Sequence, residues 1–188
     1  LIQRIPVGLP GSQPLLPGHA YRAQGDTNPD QRSVKLPGPS AATPIILGDR
    51  VFLTAAHIEN SQSGKGRLLA MCLDRKSGKI LWERNAGSGY RPKGDGADYR
   101  LDNRTNYASP SPVTDGEVVV FFFGNGDLVA YTMKGELIWR RNIQKDYGDF
   151  TFQWTFAATP TLFGDKLYLT VLQRDEVVHG RGKANNPS

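Results

Sequence analysis

An all-β chain built from repeated four-stranded antiparallel units is what this sequence predicts, and three features carry the prediction. A strand–turn–strand pattern opened by proline and turned by a glycine/aspartate pair recurs at residues 41–54, 108–121 and 157–170. A second pattern of strand, glycine turn, strand and tryptophan recurs twice, ending at Trp82 and at Trp139. Gly 21 and Pro 13 exceed ordinary usage without a collagen-like period, which is the punctuation of many short strands joined by turns. Self-similarity outweighs local propensity here, because it identifies a repeat architecture.

The first 40 residues stand apart. Pro6, Pro10, Pro14, Pro17, Pro29, Pro37 and Pro39 interrupt them, and proline at this density blocks a continuous strand ladder. Residues 1–40 therefore read as an extended, proline-rich arm, and residues 41–188 as the repeats. In each first half, a proline (Pro44, Pro112, Pro160) opens a short strand at a position where no ladder donor is lost. Gly48-Asp49, Asp115-Gly116 and Gly164-Asp165 then supply the positive φ of a tight hairpin turn, and a strand of β-branched and aromatic residues follows.

The second half runs over 69–82 and 128–139, with the tryptophan four positions after the turn glycine in both copies (Gly78 to Trp82, Gly135 to Trp139). The turn Gly124-Asn125-Gly126-Asp127 joins the two halves of the second copy. Four antiparallel strands per unit make one blade of a β-propeller, so the sequence holds two blades plus the first hairpin of a third. Pro44 and Pro112 are 68 residues apart but Pro112 and Pro160 only 48. The excess is expected in two surface loops, one at 59–66 inside the first blade and one at 88–107 between the blades. Propellers close with about 4–8 blades, so the chain is expected to be a fragment, or an incomplete ring completed by further blades of the same parent protein or of another chain.

Composition narrows the function. With 38% hydrophobic and 22% charged residues the chain is globular, not disordered. Its 23 basic and 18 acidic residues alternate without forming a basic stripe, so no nucleic-acid partner is expected. No run of about 18 apolar residues occurs, which excludes a transmembrane helix from the sequence. Cys72 is the single cysteine and cannot form an intramolecular disulfide. No apolar stretch of signal-peptide type follows Leu1.

The run from Leu73 to Trp82, Leu-Asp-Arg-Lys-Ser-Gly-Lys-Ile-Leu-Trp, resembles the tryptophan-docking repeat of pyrroloquinoline-quinone (PQQ)-type quinoprotein propellers. Cys72 stands where that repeat usually has alanine and Ser77 where it has threonine. In the second copy the turn is one residue shorter, and Ala130-Tyr131-Thr132 lacks the aspartate. The likeness covers roughly residues 36–188. It implies that Trp82 and Trp139, with the turn glycines Gly78 and Gly135, dock one blade on the next, and it implies a periplasmic or extracellular setting.

The resemblance also implies two functions. In one, the chain is part of a dehydrogenase that oxidises alcohols or sugars with PQQ and calcium. Trp154, the tryptophan outside the docking pattern, would then contact the quinone, and Asp95, Asp98 and Asp102 would offer the oxygen ligands a hard cation needs. Against this, the adjacent cysteines that often flank the quinone are missing, and Arg91, Lys93, Arg100 and Arg104 crowd those acids. His19, His57 and His179 are too dispersed for a zinc motif. The reading preferred from the sequence is therefore a protein-interaction or ligand-binding scaffold with no catalytic residue and no cofactor. Its arm and its 88–107 loop, bearing Tyr90, Tyr99 and Tyr107, would be the contact surface.

Overall fold

The computed structural model describes residues 33–60, 65–88, 107–148, 150 and 157–170. Two four-stranded antiparallel sheets and one hairpin follow each other along the chain, each in simple sequence order. The first blade contains β1 (Ile45–Leu47), β2 (Arg50–Asn60), β3 (Lys65–Asp74) and β4 (Ile80–Ser88). The second contains β5 (Val113–Thr114), β6 (Val118–Phe122), β7 (Asp127–Thr132) and β8 (Leu137–Asn142), then a short helix α1 (Ile143–Tyr147). β9 (Thr161–Phe163) and β10 (Lys166–Tyr168) form the hairpin of the third repeat. Among the described residues no helix is long and apolar enough to cross a membrane.

The hairpins form where the glycine/aspartate pairs stand. Gly48, Gly116 and Gly164 have φ of 58°, 101° and 59°, the left-handed region that tight strand reversals require. In the second blade Asp115 adds a local lock, its Oδ1 accepting the N–H of Glu117 and of Val118 at 2.9 Å. Those two bonds stabilise the carboxylate and hold its pKa below 3.8.

Successive side chains of a strand point to opposite faces, and here both faces are covered, so the middle strands read as nearly continuous apolar runs. Phe52, Ala56, Leu68, Ala70 and Cys72 leave one face of the first blade and meet Val119, Phe121, Val129 and Tyr131 from the second, forming the core between the blades. Leu53, Ala55, Leu69, Met71 and Leu73 occupy the opposite face of the first blade, where Leu36 of the arm packs against them. Val120, Phe122, Leu128 and Ala130 leave the far face of the second blade toward Leu167 and Leu169 of the third repeat.

Three features differ from the sequence expectation. The edges of the predicted loop at 59–66 are strand: β2 and β3 pair as far as Asn60↔Lys65, and residues 61–64 lie outside the described residues. Helix α1 was not foreseen. It starts because the Asn142 side chain accepts the N–H of Lys145, and it stops at Gly148, whose φ is 106°. Tyr107, expected on a contact surface, is buried in the interblade core.

Tyr107 also reveals where the repeat begins. The 68-residue offset that relates Pro44 to Pro112 relates Pro39 to Tyr107 and Ala56 to Gly124. Both pairs make the same bond, Ala56 N–H to Pro39 O at 2.9 Å and Gly124 N–H to Tyr107 O at 2.8 Å. The last residues of the arm thus hold the first blade as the interblade linker holds the second.

Candidate functional site

The strongest constellation in the molecule is the seam where the first blade docks on the second. Trp82 enters it from β4, and a backbone irregularity aims it. Cys72 pairs with Trp82 while Leu73 pairs with Ile80, leaving Leu81 as an extra residue on β4. Ala130 pairs with Trp139 while Tyr131 pairs with Leu137, leaving Ile138 as its counterpart on β8. A bulge bends the strand and re-aims its side chains, so one bulge directly before each tryptophan swings the indole toward the next blade. No residue pattern in the sequence announces it.

Trp82 lies against the second blade with 7% of its surface exposed. Its ring centroid is 6.0 Å from Phe52, 6.0 Å from Phe121 and 5.8 Å from Tyr131, in tilted and edge-on arrangements that favour aromatic pairs. Its Nε1–H donates to Met133 O at 3.1 Å, which satisfies the one polar atom the seam buries with the indole. The ring packs on Gly135: a Cβ added there would stand 2.8 Å from Trp82 Cγ and Cδ2. Gly135 is therefore required twice, for its φ of 81° and for the space its missing side chain leaves.

Arginines clamp the outer strands. Arg84 Nε donates to Gly135 O at 2.7 Å while its guanidinium lies 5.9 Å from the Trp82 ring, and Arg140 Nη2 donates to Asn85 O at 2.8 Å in the reverse direction. Sequence reading passed over both, since neither belongs to a motif. A comparable notch exists on the leading side of the first blade, where a Cβ at Gly78 (φ 71°) would collide with Val34 of the arm.

The two glycine turns are built with different chemistry. Asp74 Oδ1 accepts the Ser77 N–H at 2.7 Å and the Ser77 hydroxyl at 2.6 Å, and these bonds hold the Asp74 carboxyl below 3.8. In the shorter second turn Thr132 replaces the aspartate, and its Oγ1 accepts the N–H of Lys134 at 3.3 Å and of Glu136 at 3.2 Å. A hydroxyl thus replaces the carboxylate as the acceptor of the turn. Cys72, paired in register with Trp82, is fully buried. Burial pushes its thiol from 9.0 to about 11, with the Arg50 charge opposing part of the rise.

Trp139 is placed differently from Trp82. It is 37% exposed, and with Leu128, Arg141, Ile143 and Tyr147, and Leu167 and Leu169 of the third repeat, it lines an open cavity of about 510 Å³. Arg141 at the rim bonds Asp146 Oδ2 at 2.8 Å and Tyr147 Oη at 3.1 Å, which raises its pKa further.

The residues considered for a quinone and a cation, Trp154, Asp95, Asp98 and Asp102, lie outside the described residues. Trp82 is enclosed by Phe52, Phe121, Tyr131 and Gly135, and Cys72 is buried in the seam. Among the described residues no three His, Cys, Asp or Glu side chains converge to hold a metal ion.

Residues 32–178, more than half of the chain, match the family model described as "Outer membrane protein assembly factor BamB". No curated protein matches the chain. Solved structures that resemble it include BamB from Moraxella catarrhalis, at 22% identity and a TM-score of 0.45, covering 73% of this chain and 32% of that one. A europium-containing methanol dehydrogenase matches at 14% identity and a TM-score of 0.42, over 69% of this chain and 19% of that one. Quinohemoprotein alcohol dehydrogenase from Comamonas testosteroni matches at 16% identity and a TM-score of 0.44, over 69% and 17%. The chain thus spans about a third or less of the length of these proteins. With two four-stranded antiparallel blades, a third hairpin and a tryptophan seated on its neighbour's turn glycine, the chain belongs to this family of PQQ-like β-propeller repeat proteins.

Proposed function

We propose that this chain works as a binding scaffold, a stretch of PQQ-like propeller whose open blade edges hold other protein and which performs no chemistry of its own. The observation that carries this reading is the contrast between its two repeat tryptophans. Trp82 is covered by the next blade, whereas Trp139 stands more than a third exposed beside an apolar groove with Arg141 at its rim. Aromatic and apolar surface edged by arginine is the composition of protein contact sites. Further propeller blades, from the same parent protein or from another chain, are the partner this groove suits. The family's description as an outer membrane protein assembly factor supports an assembly role, and with it a periplasmic or extracellular location.

A dehydrogenase reading requires Trp154, Asp95, Asp98 and Asp102 to build a site for PQQ and calcium. Titration of the purified protein with both, followed by quinone absorbance and by dye-coupled oxidation of alcohols and sugars, separates the two. No saturation at high micromolar quinone is the expected outcome. Saturable binding with turnover overturns the scaffold reading and makes those four residues the first to substitute.

A further inference from the structure

We propose that the hydroxyl-bearing residue before each strand-opening proline is a relay that fixes the order and direction in which blades stack. Thr43, Ser111 and Thr159 occupy this position in the three repeats, directly before Pro44, Pro112 and Pro160. The Thr43 N–H donates to Ser111 Oγ at 3.0 Å, and the Ser111 N–H donates to Thr159 Oγ1 at 3.1 Å. One directional bond therefore recurs at two successive seams, although the repeats it joins are 68 and 48 residues apart and carry different loops.

The residue types follow from the geometry. A residue before proline is driven to extended backbone, and here it precedes the first strand, β1 beginning at Ile45 and β5 at Val113. Its N–H thus lies outside the ladder of its own sheet and is available to the neighbouring blade. A serine or threonine hydroxyl accepts as well as donates, so Ser111 serves both seams, its Oγ taking an N–H from the blade before and its own N–H going to the blade after. Alanine would keep the donor and lose the acceptor.

The relay lies at the opposite edge of each sheet from the tryptophan dock. Ser111 precedes β5, the first strand of its blade, while Trp82 comes from β4, the last strand of the other. Contacts at both edges fix the angle between two sheets, which a single contact leaves free to pivot. The relay also has a sense: an element stacking on the third repeat must offer an acceptor to the Thr159 N–H, and one stacking on the first must offer an N–H to Thr43 Oγ1. This last consequence rests on the scaffold reading; the two observed bonds do not.

Amide hydrogen exchange, resolved by residue on the intact 188-residue chain, tests the relay. Ser111→Ala is expected to speed exchange of the Thr43 amide about fivefold, the loss of one ordinary hydrogen bond, while Val120 and Val129 stay unchanged. Ser111→Thr should keep Thr43 protected, and Thr159→Ala should release Ser111 without releasing Thr43. An unchanged Thr43 amide in Ser111→Ala overturns the proposal. So does a uniform rise across both blades, which would mean a general loss of stability. Neither result bears on quinone binding, so the relay and the scaffold reading fail separately.

Discussion

Replacing Gly135 with alanine isolates the docking of one blade on the next, and Gly48→Ala supplies its control. Both glycines are left-handed, at φ 81° and 58°, so an added side chain costs about 1–2 kcal/mol in backbone strain at either position. Around Gly48 nothing lies within 4 Å of the new methyl, and the cost ends there. At Gly135 the methyl would stand 2.8 Å from Trp82 Cγ and 3.1 Å from Cε2, closer than van der Waals contact allows. The indole must retreat, and the Nε1–H bond to Met133 O, 3.1 Å long, breaks at a net cost of about 1 kcal/mol. Loosened contacts with Phe52, Phe121 and Tyr131 add about 0.5–1.5 kcal/mol. Gly135→Ala should therefore destabilise by about 3–4 kcal/mol and Gly48→Ala by about 1–2. Urea unfolding followed by near-ultraviolet circular dichroism measures both, and at a slope of about 2 kcal/mol/M the midpoints should fall by about 1.5–2 M and about 0.5–1 M. Equal shifts would refute the argument that Trp82 is seated on Gly135.

Three further outcomes concern the tryptophans, the buried thiol and the first glycine turn. Trp82→Ala should cost about 3–5 kcal/mol, whereas Trp139→Ala, which removes a side chain over a third exposed, should cost about 1 kcal/mol or less in the same unfolding assay. The Cys72 thiol titrates at about 11 in the fold against an ordinary 9.0. Stability tied to the neutral thiol is thus fully present below pH 9 and is lost as pH rises toward 11, by about 2–3 kcal/mol. Cys72→Ala should flatten that alkaline loss in urea titrations run between pH 8 and 11. Asp74 is held below 3.8 by Ser77, so its contribution is present above that value and lost as pH falls through the lower folded value. Ser77→Ala should move the Asp74 carboxyl resonance midpoint upward in an NMR titration, and an unmoved midpoint would exclude Ser77 as the cause.

The sequence by itself determined the repeat, and through it the strands, hairpins and blades. Those depend on local chemistry that each residue carries with it: proline before the first strand, Gly48 and Gly164 at positive φ, and apolar runs through β2, β3, β6 and β7. The distance of Trp82 from its turn glycine is written in the repeat in the same way, whereas a docking role for it was only what the family resemblance implied. Only the tertiary structure decided which groups meet across a seam. That Gly135 makes room for the Trp82 ring, that Arg84 and Arg140 reach carbonyls of opposite blades, and that Tyr107 is core all depend on how two sheets approach. The bulges at Leu81 and Ile138 belong there as well, because register is a property of a strand pair and no single strand encodes it. The two tryptophans make the point most directly: their local sequences are alike, yet one is buried and the other over a third exposed, and what separates them is the neighbour each one faces.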